Sequence, residues 1–212
     1  MDQLKENNSH NYNLLEVVFK KALAKASSIF SKTLKVEAYF EIYGIHEHKI
    51  STLADILYQD NQEVIGVMVD LVGEYKFKFL FMSGIENSKN FTDRILKREL
   101  GTTKNLDLYC TSTIQELGNL LSSSISNALV NIFDMKITPS PPMVACDYSA
   151  TIFQEYIMDL ALQKDTIIIL ETKLNIEKTE TKCPMYLLPI NVPTKNFMKK
   201  HWEKKNEKNI DR

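Results

Sequence analysis

The sequence predicts an α+β fold in which two similar halves form one antiparallel sheet with long helices packed on it. Three observations point there. Apolar residues recur at three- and four-residue steps in two long stretches, near 15–33 and 111–133. Segments of strand character follow each stretch in pairs. The order of these pieces then repeats after about 100 residues. Thus 64–71 stands against 166–173, and Lys89-Asn90-Phe91 against Lys195-Asn196-Phe197.

The elements follow in order. Leu15, Val18, Phe19, Ala22, Ala26, Ile29, Phe30 and Thr33 share one face of the first helix, and Lys20, Lys21, Lys25 and Lys32 lie on its outer face. Val36, Ala38, Phe40 and Ile42 alternate with Glu37, Tyr39, Glu41 and Tyr43, the period of a half-buried strand. Strands at 64–71 and 75–82 are parted by Gly73 and Glu74, which reads as a hairpin. A short helix over 87–100 puts Phe91, Ile95 and Leu96 on its apolar side. The second half offers the long helix, a strand at 135–138, a strand pair at 166–174 and 185–190, and a closing helix at 195–204. Between them, 148–163 reads as an insertion, helical from Ile152, Tyr156, Ile157 and Leu160. The expected organisation is a flexible N-terminus over 1–12 and one domain over 13–204. That domain divides into halves 13–105 and 106–204, with a polar tail at 205–212.

Composition narrows the function classes. The chain has 212 residues, 44% hydrophobic and 25% charged, with 26 basic against 27 acidic side chains. That balance is globular and argues against disorder or a nucleic-acid binder held by bulk positive charge. Cys110, Cys146 and Cys183 are an odd number without metal-like spacing, so a reducing, cytoplasmic setting is expected. The first 13 residues lack the apolar core of a signal peptide. The apolar run at 64–72 is broken by Asp70, far short of the ~20 residues that span a bilayer.

The helix over 111–133 departs from this ordinary background, because Glu116 is its only charged side chain. At about 100° per residue, Ile114, Leu117, Leu121, Ile125, Ala128 and Ile132 lie on one side. Ser112, Glu116, Asn119 and Ser123 lie on the other and form a continuous polar patch. Ser122, Ser124 and Ser126 beside it are small enough to let another molecule approach the backbone. Periodicity alone favours the plainer reading, a helix lying under another element of the core.

Glu116-Leu117-Gly118-Asn119, with Ser112 four residues before the Glu and Ser140-Pro141-Pro142 after it, resembles the signature of the CheC/CheX/FliY family of chemotaxis phosphatases. That pattern is Asp or Ser, three residues, Glu, two residues, Asn, and then a Pro; here 21 residues separate Asn119 from Pro141. The similarity extends through 137–142, 149–153, 167–174 and 185–189, roughly the second half of the chain. A first copy of the signature is missing: Glu16 is present, but Phe19 stands at the Asn position, Tyr12 at the Asp/Ser position, and the first half has no proline. The resemblance therefore implies a CheC-like chain with one working centre and a degenerate first half.

The resemblance also implies an activity, hydrolysis of the aspartyl-phosphate of a CheY-like response regulator in chemotaxis or another two-component pathway. The regulator supplies Mg²⁺, a lysine and the phosphorylated carboxylate, so the chain needs no cofactor of its own. Asn119 holds water in line with phosphorus, and Glu116 pairs with the regulator's lysine. Ser112 has a contact or helix-start role, and Pro141 shapes the adjoining loop. The competing expectation is a non-catalytic module that docks on a receiver domain, a CheD-like protein or the flagellar switch. Exposed strand edges or the uncharged helix could also pair two copies into a homodimer.

Other features have plainer readings. His46 and His48 share a strand face without a visible third ligand, so no metal site is expected. The span 195–212, with seven basic and three acidic residues around Phe197, Met198 and Trp202, reads as an amphipathic end and not a membrane or nucleic-acid patch. Asp107 and Asp147 fall at helix ends as caps or loop residues. Six unclustered glycines leave no phosphate-cradling loop.

Overall fold

The computed structural model describes residues 2–57, 61–133, 136–176 and 182–191. The helix expected at 195–204 and the tail at 205–212 lie outside the described residues. Helix α1 (Asp2–Leu34) leads into strand β1 (Ala38–Lys49), α2 (Ile50–Leu57), the hairpin β2 (Glu63–Gly73) and β3 (Phe77–Gly84), and α3 (Ile85–Ile95). The second half runs α4 (Leu108–Phe133), β4 (Ile137–Pro139), β5 (Met143–Tyr148), α5 (Ser149–Ala161), β6 (Thr166–Ile176) and β7 (Lys182–Pro189). Helix α1 extends back to Asp2, through the polar stretch that the sequence suggests is flexible.

All described strands belong to one antiparallel sheet of order β1-β6-β7-β3-β2, with β4 and β5 both on the outer side of β2. The pairing relates the halves. Strand β1 of the first half pairs β6 of the second, β5 of the second pairs β2 of the first, and β3 and β7 meet at the centre. Two backbone bonds repeat this relation: Ile50 N–H donates to Asp165 C=O where α2 begins, and Ser149 N–H to Gln62 C=O where α5 begins, both at 2.9 Å. Helix α5 is thus the counterpart of α2, not an insertion. At eight residues, α2 is too short for its periodicity to stand out in the sequence.

Each face of the sheet carries its own core. Helices α1, α3 and α4 cover one face, burying Phe19, Phe30, Phe79, Phe81, Phe91, Leu117 and Leu121 among others. Helices α2 and α5 cover the other, where Leu53, Ile152, Phe153 and Tyr156 meet Val64, Leu80 and Met82. Burying one large apolar side chain is worth roughly 1.5–3 kcal/mol, so both helical layers are held chiefly by apolar burial. On the second face, the Tyr156 hydroxyl lies 2.8 Å from Val69 O and 2.9 Å from Asp70 Oδ1. Lys78 Nζ sits 4.3 Å over the Tyr156 ring and 3.4 Å from Asp159, which pins α5 to the sheet. Burial and the Asp70 carboxylate push the Tyr156 phenol well above its usual range, so it stays protonated and donates.

Candidate active site on helix α4

Helix α4 lies between α1 and α3 and rests on β2. Its inward face is the predicted one: Ile114, Leu117, Leu121 and Ile125 are fully buried and Ala128 nearly so. Gly118 explains how low the helix sits. A Cβ there would stand 2.5 Å from Val67 Cγ1 and 2.6 Å from Val67 Cβ, so only glycine permits this approach. This close approach to the sheet falls between Glu116 and Asn119.

The outward face holds the polar stripe. Ser112 and Glu116 are exposed, and Asn119 and Ser123 are half-buried. Steps of three and four residues make these side chains neighbours, with about 5–6 Å between successive Cβ atoms. The flanking serines turn the other way, contrary to the open surface expected of them. Ser122, Ser124 and Ser126 are buried. Ser122 Oγ donates to Asn119 C=O at 3.0 Å, Ser124 Oγ to Leu120 C=O at 2.8 Å, and Ser126 Oγ to Ile137 C=O at 3.3 Å. Small hydroxyls satisfied by nearby backbone let the helix pack without charge.

Two carboxylates fix the start of α4. The Asp107 carboxylate accepts from Cys110 N–H at 3.0 Å, the side-chain cap that the sequence suggests. Upstream, Asp93 is fully buried at the end of α3. It accepts from Thr102 N–H and Thr103 N–H at 3.0 Å each and from the Thr103 hydroxyl at 2.5 Å. Burial alone would raise its pKa. The donors from Thr103, Gly101 and Thr102 outweigh that and hold the carboxyl below the usual range. Asp93 thereby locks the loop that feeds α4, a role invisible while 87–100 reads as a plain amphipathic helix.

The diproline segment interrupts the sheet edge between β4 and β5. Proline has no N–H for a ladder, so pairing to β2 stops at Ser140-Pro141-Pro142. Ser140 supplies substitutes: its N–H donates to Asp70 C=O at 2.8 Å and its hydroxyl accepts from Asp70 N–H at 3.1 Å. Pro141 is exposed, and Pro142 C=O accepts from Gln115 Nε2 at 3.4 Å. Gln115, which the sequence reading passes over, thus ties the loop of Pro141 to the turn of α4 that presents Glu116. At the head of the same helix, Leu108 and Tyr109 are 84% and 61% exposed, an apolar shoulder that periodicity does not single out.

The first half presents a different surface. Phe19 is a core residue, 1% exposed, and does not face outward as Asn119 does. The exposed residues of α1 include Lys20, Lys21, Ala24, Lys25 and Ser28, with no Glu three residues ahead of an Asn. The corresponding edge strand β1 pairs with β6 throughout, with a bulge between Ile42 and Gly44 in place of a proline break. His46 and His48 stand with ring centroids 6.0 Å apart, and His48 Nε2 lies 3.3 Å from Glu171. Among the described residues no three His, Cys, Asp or Glu side chains are placed to hold a metal ion, and no described helix is long and apolar enough to cross a membrane.

With this geometry in hand, known proteins are informative. Residues 111–145, from the start of the stripe past the diproline loop, match the model of the CheC-like family. Over 85 residues the chain is 29% identical to the CheY-P phosphatase CheC of Bacillus subtilis (strain 168); the match spans 39% of this chain and 41% of that protein. The fold is similar to Thermotoga maritima FliY, with a TM-score of 0.71, 15% identity and coverage of 92% and 97% of the two chains. It is also similar to the FliM middle domain from H. pylori, at a TM-score of 0.60, 11% identity and coverage of 90% and 98%. A third similar structure comes from the CheX-CheY-BeF3-Mg+2 complex of Borrelia burgdorferi, at a TM-score of 0.53, 15% identity and coverage of 79% and 94%. Signature, matched segment and shared fold agree in direction: the segment 111–145 resembles the CheC-like family, and the chain shares the fold of FliY.

Proposed function

We propose that this chain hydrolyses the aspartyl-phosphate of a CheY-like response regulator, with α4 as the element that enters the regulator's site. The observation that carries the reading is the outward stripe on which Glu116 and Asn119 stand one turn apart beside the diproline loop. The relatives support it: the Bacillus protein is described as a CheY-P phosphatase, and the Borrelia CheX was solved with CheY, BeF3 and Mg²⁺.

Phosphoryl transfer asks the protein mainly to place the nucleophile and stabilise charge. The Asn119 amide, which both donates and accepts, holds a water in line with phosphorus. Water oxygen bonds to phosphorus, the bond to the aspartyl oxygen breaks, and inorganic phosphate and the free carboxylate leave. Glu116, exposed and the only carboxylate on α4, pairs with the regulator's lysine and fixes the approach. Mg²⁺ held by the regulator neutralises charge on the phosphoryl oxygens. One carboxylate on the stripe suits a docking contact and is too few to hold that ion independently. Ser112 lies one turn before Glu116 and extends the contact; Pro141 shapes the loop that Gln115 holds against α4. Leu108 and Tyr109 add an apolar contact at one end.

The likeness to the FliM middle domain favours a second reading, a docking module without catalysis. One assay separates the two. A CheY-like regulator phosphorylated by a small-molecule phosphodonor is mixed with a tenth as much of this chain, and phosphate release is followed. Release faster than the regulator's own decay, and beyond one turnover per chain, supports the phosphatase. Binding to the beryllofluoride-activated regulator with no shortening of the phosphate lifetime supports the module.

A further inference from the structure

Helices α1 and α4 pack side by side on one core, so their outer faces point the same way, away from the sheet. Those faces differ sharply. Helix α4 carries no basic side chain and a single carboxylate. On α1, Lys20, Lys21, Lys25 and Lys32 are exposed, and Lys35 is exposed just beyond its end. Between Glu16 and Lys35 the only acidic residue is Glu16, bonded to Lys20 at 2.7 Å. At about 100° per residue, Lys21, Lys25 and Lys32 fall within a sector of about 40°, along about 16 Å of helix. The whole chain has a net charge of -1, so this stripe is a local excess and not a sample of a basic protein.

We propose that the lysine stripe of α1 is an electrostatic docking rail, which captures the acidic phosphorylated face of the receiver domain and turns it onto α4. The inference rests on the reading of Glu116 and Asn119 as the working pair. It gives a task to the half of the chain that lacks the signature. The complementarity is simple: a phosphoryl group and the carboxylates that hold Mg²⁺ make the regulator's active-site face acidic, and α4 offers it no positive charge. Packed helices lie about 8–10 Å apart, close to the Debye length of about 8 Å at physiological salt. Lysines on α1 are therefore near enough to act on a partner seated on α4. Exposed charges of this kind alter encounter rates more than they alter the bound state or the chemistry.

The test uses the full chain with Lys21→Glu, Lys25→Glu and Lys32→Glu combined, and a second variant with the same lysines changed to Gln. Circular dichroism and thermal unfolding check that both remain folded. Association with the beryllofluoride-activated regulator is followed by stopped flow at 20 and 150 mM salt. Phosphate release is measured separately at saturating phosphorylated regulator. The rail predicts association slowed about tenfold at low salt for the Glu variant and less for the Gln variant, with a flatter salt dependence. It also predicts an unchanged release rate at saturation. Wild-type association rates and salt dependence in both variants would overturn it. So would unchanged regulator association together with lost binding to phosphatidylglycerol vesicles, which would assign the stripe to a membrane. Phosphate release is a separate readout: if wild type releases none while its association remains lysine- and salt-dependent, the phosphatase reading fails and the rail stands.

Discussion

Changing Gly118 to alanine sets two well-known effects against each other at the centre of the site. Alanine is favoured over glycine in a helix interior by about 1 kcal/mol, so a free helix would gain from the change. Here the new Cβ would lie 2.5 Å from Val67 Cγ1, 2.6 Å from Val67 Cβ and 2.9 Å from Val67 Cγ2, too close without movement of α4 or β2. Overpacking of this kind costs roughly 1–3 kcal/mol. The net expectation is a loss of about 0–2 kcal/mol, or a few degrees in Tm for a chain of this size. Val67 is fully buried, and truncating it to alanine removes two methyl groups at a cost of roughly 2 kcal/mol. The double variant separates the terms. Val67→Ala removes the contacts to Cγ1 and Cγ2 but keeps the 2.6 Å contact to Cβ, so Gly118→Ala should cost less in that background without becoming stabilising, a coupling of about 1 kcal/mol. Urea denaturation of the four proteins measures it. If Gly118→Ala stabilises the chain equally in both backgrounds, the close approach of α4 to β2 is not what glycine serves at this position.

Three further outcomes follow from the same contacts. Asp93→Asn should destabilise the chain at neutral pH and flatten its acid limb. The folded carboxyl titrates below its unfolded value, so its contribution is complete above roughly pH 4 and is lost as pH falls through the lowered folded value. Urea midpoints across pH 2.5–7 measure this, and parallel wild-type and variant curves would contradict it. Asp107→Ala should cost about 1 kcal/mol and speed amide exchange in the first turn of α4, which ends near Ser112. Tyr156→Phe should cost about 1–2 kcal/mol in chemical denaturation, because Val69 C=O and Asp70 lose a buried donor.

Much of this was readable from the sequence, and what escaped has identifiable causes. Helix α4 declared itself because its apolar period is unbroken and Glu116 is its only charge. The β2–β3 hairpin did so through Gly73 and Glu74. Strand β5 did not: it follows two prolines, and its exposure lacks the alternation that marks a half-buried strand. The buried serines of α4 escaped because a hydroxyl that bonds its own backbone leaves no mark on polarity patterns. Phe19 shows the limit of carrying a motif across a repeat. The spacing suggested it as the counterpart of Asn119, but core packing on α1 turned it inward. Asp93 and Gln115 act through the α3–α4 and diproline loops, and such contacts depend on tertiary structure that no local period encodes.

The central claim is that Asn119 performs chemistry while its neighbours dock the regulator. The most direct measurement is the single-turnover decay of the phosphorylated regulator with saturating wild-type chain and with Asn119→Ala, alongside binding of the beryllofluoride-activated form. Removing a group that only positions water should slow decay by about 100-fold and leave binding within a few-fold of wild type. Decay at the wild-type rate with Asn119→Ala would contradict the claim and move the chemistry away from α4.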